Sequence, residues 1–129
     1  MYLPTFFLLL LLLLHFQLTT AVPSLMNPHV LPTSCRPGHT PIEKILPMAY
    51  ALQNRRGEYC CVKDFCTPAA RNKGALVLLC TKTSEELCIR CEKVGMAVMQ
   101  AVAHCHKDGK VDGRVVFREM GLEVAVSAF

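Results

Sequence analysis

Eight cysteines constrain this chain more than any other feature: Cys35, Cys60, Cys61, Cys66, Cys80, Cys88, Cys91 and Cys105. All of them follow an apolar N-terminal run, Phe6 to Leu14, that gives way to His15, Gln17 and the small residues Thr19 and Ala21. Small residues at those two places suit signal peptidase, so the sequence predicts a signal peptide over residues 1–21, cleaved after Ala21. The run falls short of the ~20 apolar residues of a membrane span. Pro23 and Pro28 follow it closely, and no second span comes later. Behind a secretory leader an even cysteine count implies a disulfide framework, because the secretory route is oxidising. Eight cysteines allow about 105 pairings. Their spacing selects none of these; it only gives adjacent Cys60 and Cys61 different partners.

The chain beyond the leader carries every Lys, Arg, Asp and Glu, with a net charge of +4. That charge is too weak and too dispersed to specify nucleic acid. With no Trp and 7% aromatic residues, a domain this small builds a modest core. Bridges worth roughly 2–4 kcal/mol each then matter to its stability.

Residues 22–39 are dotted with prolines and read as an extended lead-in, tied down by Cys35. Residues 40–110 read as a disulfide-rich helical domain. Thr40-Pro41-Ile42-Glu43 has the form of a capping box, and Ile42, Ile45, Ala49 and Leu52 share one helical face. Pro47 predicts a kink or restart, and Gly57 a C-terminal cap just past Arg55-Arg56. Thr67-Pro68 predicts the start of a short second helix closed by Asn72-Lys73-Gly74. The apolar run Ala75–Cys80 fits a buried strand or helix turn equally. The best-marked helix is expected over Thr83–Lys107, where Cys88, Cys91, Gly95, Val98, Val102 and Cys105 recur at helical spacing. In residues 111–129 the alternation of Leu122, Val124, Val126 and Ala128 has the period of a strand, giving a loose tail or a hairpin with Arg114–Phe117. The expected fold class is therefore mainly α: a small disulfide-stapled helical domain with, at most, a short C-terminal β-hairpin.

Candidate chemistry is sparse. Cys88-x-x-Cys91 has the spacing of a redox pair, yet no βαβ pattern surrounds it and six other cysteines do, so both read as structural half-cystines. On one straight helix Cys88 and His104 would stand about 24 Å apart at about 1.5 Å per residue, which excludes a common metal with Cys91 and His106. No Gly-x-Ser-x-Gly motif occurs, and His106 with Asp108 lacks a nucleophile. No enzyme, metal or cofactor is expected, and no Asn-x-Ser/Thr acceptor is present.

Two short stretches carry resemblances. Arg55-Arg56-Gly57 followed by Cys60-Cys61 resembles the junction before an insulin A chain, although the gap from Cys61 to Cys66 is one residue longer. The pair marks a candidate dibasic cleavage site, and its place in the last helical turn favours an uncut chain. The opening Cys60-Cys61-Val62-Lys63-Asp64-Phe65-Cys66, behind a secretory leader, resembles the large cone-snail venom polypeptides of the con-ikot-ikot group. That resemblance implies a secreted ligand acting on an extracellular receptor or ion channel. A secreted hormone or growth-factor-like signal, processed at Arg55-Arg56, is the second expectation; a lipid-binding, reproductive or defence protein is the third.

Overall fold

The structure is a computed structural model that describes residues 31–129. The expected leader, its cleavage point after Ala21 and residues 22–30 of the lead-in lie outside the described residues. From Leu31 the elements are β1 (Thr33–Cys35), α1 (Ile42–Gln53), β2 (Tyr59–Val62), β3 (Cys66–Asn72), β4 (Ala75–Thr81), β5 (Leu87–Arg90), α2 (Cys91–Cys105), β6 (Gly113–Phe117), a single 3-10 turn (Arg118–Met120) and β7 (Leu122–Ala128). A five-stranded sheet has the order β1-β6-β7-β4-β3, and a separate two-stranded ribbon pairs β2 with β5. Every pairing is antiparallel. The expectation of a mainly α fold is thus overturned: seven strands in two sheets outnumber two helices among the described residues.

The core lies between the five-stranded sheet and the two helices. Strand alternation turns Ala75, Val77 and Leu79 of β4, Val115 of β6, and Leu122, Val124 and Val126 of β7 to one face, where all are buried. Helix α1 covers β3 and β4, while α2 covers β1, β6 and β7. Ile45, Met48, Ala49 and Leu52 of α1 and Val94, Val98, Ala101 and Val102 of α2 complete the buried cluster. The helices meet at Gly95, where an added Cβ would stand 2.7 Å from the Ala49 carbonyl oxygen and 2.8 Å from the Gln53 nitrogen. Only glycine allows backbones to approach so closely.

The local misreadings have physical causes. Helix α1 begins at Ile42 without a side-chain cap, because the Thr40 hydroxyl instead donates to Asp112 Oδ1 at 2.6 Å. Asp112 also accepts the His39 N–H at 2.6 Å, so this buried carboxylate ties the 36–41 loop to the start of β6. The helix continues through Pro47 as one element and ends before Arg55. The expected helix at Thr67-Pro68 is strand β3, which pairs with β4 across a bulge between Pro68 and Ala70, and Lys73-Gly74 forms the hairpin turn. Pro68 suits that place because β3 is an edge strand, where a missing N–H is tolerated. The helix expected over Thr83–Lys107 starts only at Cys91, since Leu87–Arg90 pairs with β2 instead. Cys88 consequently leaves the helical seam and lies exposed on β5. The hairpin sought in the tail exists as β6 with β7, but it forms the middle of the main sheet.

Candidate functional site

Every described cysteine is paired, as Cys35–Cys105, Cys60–Cys91, Cys61–Cys88 and Cys66–Cys80. Adjacent Cys60 and Cys61 point to opposite faces of β2, which sends one inward to the first residue of α2 and the other across to its ribbon partner. Cys60 and Cys61 therefore have different partners, both among the cysteines at 88 and 91. Cys66 joins its neighbour across the β3–β4 hairpin, and Cys105 joins β1. Glu86 lies near Cys61 and Cys88 in an arrangement of metal-ligand type, but those two sulfurs are bonded to each other and offer no thiolate. His104 Nδ1 stands 3.0 Å from the Gln100 carbonyl oxygen on the helix's solvent side, and His106 follows the helix end.

The sheet face turned away from the helices is the most developed surface. Alternation sends Leu76, Leu78 and Cys80 of β4, Arg114 and Val116 of β6, and Glu123, Ala125 and Ser127 of β7 outward, each of them half-buried. An antiparallel sheet normally turns polar residues to water on its free face, yet β4 is apolar on both sides. Arg114 Nη1 and Glu123 Oε1 lie 3.4 Å apart across β6 and β7. On one side of that pair is a hollow of about 430 Å³ flanked by Lys82 and Arg118. On the other side is a hollow of about 490 Å³ reached by Arg36 and His39 over Leu78 and Ala125.

The fold explains how cations distant in sequence converge there. Strands β4 and β6 both run antiparallel to β7, so Lys82 and Arg118, just past their C-terminal ends, emerge at the same edge. Gly121, at φ 64°, takes the left-handed conformation that turns the chain back into β7. Neither Lys82 nor Arg118 has a carboxylate within ion-pair reach among the described residues. No linear motif in the sequence marks Lys82 or Arg118. Only the polar positions of the alternating tail, Arg114 and Glu123, were there to be noticed.

Arg55-Arg56 sits elsewhere, in the exposed turn between α1 and β2 rather than inside the helix. Arg55 Nε donates to Glu58 Oε2 at 2.6 Å. Gly57 has φ 77° and open space around it. The ribbon edge beyond holds Arg90 opposite Tyr59; the Tyr59 hydroxyl and then the Glu92 carboxylate push the guanidinium pKa up, so its charge is constant over any physiological range.

Comparison of the chain with protein-family models, curated proteins and solved structures yields no match. No helix among the described residues is long and apolar enough to cross a membrane.

Proposed function

We propose that this is a secreted polypeptide acting as an extracellular ligand, and that the outer sheet face is the surface that meets its partner. The observation that carries this reading is the pairing of an apolar strip, Leu76, Leu78, Val116 and Ala125, with four cations, Arg36, Lys82, Arg114 and Arg118, set against the Glu123 carboxylate and the buried Asp112. That surface suits a partner presenting acidic groups beside an apolar patch. Four bridges support the extracellular setting. They also hold the face in shape before contact, so little conformational entropy is lost on binding. A venom-type toxin directed at a receptor or ion channel is the first reading. A hormone or growth-factor-like signal is the second, favoured by the exposure of Arg55-Arg56.

The test is binding of disulfide-intact protein to cells expressing cloned receptors and channels, compared with the Lys82→Glu/Arg118→Glu variant. The proposal expects saturable, salt-sensitive binding that weakens at least about tenfold in the variant, for two rim charges at up to about 1 kcal/mol each with added repulsion. Binding that is indifferent to both substitutions would remove the outer face from the reading.

A further inference from the structure

We infer that the Arg56–Gly57 bond is a processing site, and that the mature ligand is a two-chain molecule joined by the Cys35–Cys105 bridge. Arg55-Arg56 is the only adjacent pair of basic residues in the sequence, and paired basic residues are what the processing endoproteases of the secretory route recognise. The inference rests on the secretory passage proposed above and is independent of the outer sheet face.

Accessibility comes first. Both arginines are exposed, as are Gly57 and Glu58. A Cβ built on Gly57 would meet nothing within 4 Å, so the walls of a protease cleft can close on the bond. Within the turn are two long backbone hydrogen bonds, Arg55 N–H to the Leu52 carbonyl at 3.2 Å and Glu58 N–H to the Arg55 carbonyl at 3.3 Å, and the Glu58 carbonyl accepts the Cys91 N–H at 3.0 Å where β2 begins. The Arg55–Glu58 pair is exposed on both sides, which makes it weak. Extending the chain into a cleft therefore requires opening the end of α1 and, past Gly57, the single Glu58–Cys91 backbone bond, and helix ends open at low free energy. The opening has a defined limit, because Gln53 is packed on Gly95 and Leu52 is buried.

The disulfide map then determines the product. Cys35 alone lies before the cut, and its partner Cys105 lies after it. The other three bridges all fall within Gly57–Phe129. The shorter piece remains in place through β1 pairing with β6, through the buried face of α1 and through the 36–41 loop bound to Asp112. Hydrolysis breaks the Arg56 C–N bond; the hydroxyl of one water joins the Arg56 carbonyl carbon, and a proton goes to the Gly57 amine. The fold is kept and one covalent link still spans the nick.

The experiment uses full-length chain secreted from cells that lack paired-basic endoproteases, then treated with a purified subtilisin-like endoprotease of that specificity. The expected result is one species that gains the mass of a single water without reduction, and two on reduction, the larger beginning at Gly57. Arg56→Gln should resist cutting. Glu58→Gln should be cut up to about fivefold faster, because it releases Arg55 from a pair worth at most about 1 kcal/mol. Resistance of the native chain, with rapid cutting once it is reduced and alkylated, would overturn the inference. So would separation of the pieces without reduction. Failure of the chain to reach the medium would instead count against the secretory reading, and the two failures are read separately.

Discussion

The main sandwich and the β2–β5 ribbon are stabilised by different means, and the contrast explains where this chain needs its cysteines. The sandwich buries an unbroken apolar layer, with Val77, Leu79, Val124 and Val126 of the sheet facing Ile45, Leu52, Val94 and Val98 of the helices. The ribbon has two strands of four residues each, buries little beyond Cys60, Val62 and Ile89, and is too small to hold together in water alone. Two bridges are placed on it, one across the strands and one to the first residue of α2. In the sandwich the bridges instead close edges: Cys35–Cys105 fastens β1 under α2, and Cys66–Cys80 fastens β3 to β4.

Substitutions in the two regions should therefore behave differently. Leu79→Ala, at 1% exposure in the middle of the sheet, is expected to lower stability by about 2–5 kcal/mol through lost burial and an unfilled cavity. Denaturant titration would show the whole domain shifting in one transition. If it left the midpoint unchanged, the packed-layer description of the sandwich would fail. Replacing Cys60 and Cys91 together by Ala should remove about 2–4 kcal/mol. It should also expose the ribbon amides to hydrogen exchange while those of β4, β6 and β7 stay protected. Equal loss of protection in both regions would merge what is here separated. Gly95→Ala is the smallest change. The methyl group would collide with α1, costing about 1–3 kcal/mol if the helix pair is as rigid as its spacing implies, and close to nothing if α1 slides; a melting curve distinguishes the two.

The same contrast explains what the sequence could disclose. The apolar face of α1 and the strand alternation of the tail were visible because each is a local period with its own packed partner. The disulfide framework was visible as a count, but its pairing depends on which strands lie side by side. The ribbon was illegible for the same reason. Leu87–Arg90 has no strand signature of its own, and Cys88 stands at helical spacing before Cys91, so only pairing with Tyr59–Val62 makes the segment extended. Thr67-Pro68 followed by Ala69-Ala70 favours a helix locally, and the hairpin with β4 overrides it. The outer-face cations come from three separate segments, at Arg36, at Lys82 and at Arg114 with Arg118, and no linear motif could have grouped them. Arg55-Arg56 was legible as a motif, but its release from the helix into an open turn was not.

The most direct measurement is a disulfide map of the protein recovered from the medium of expressing cells, by partial reduction and stepwise alkylation so that adjacent Cys60 and Cys61 are resolved. Secreted chain with the linkages Cys35–Cys105, Cys60–Cys91, Cys61–Cys88 and Cys66–Cys80 is the expected result. Free thiols, exchanged partners at Cys60 and Cys61, or a link from Cys66 to the α2 cysteines would contradict the stapled architecture on which the extracellular ligand and its two-chain form both depend.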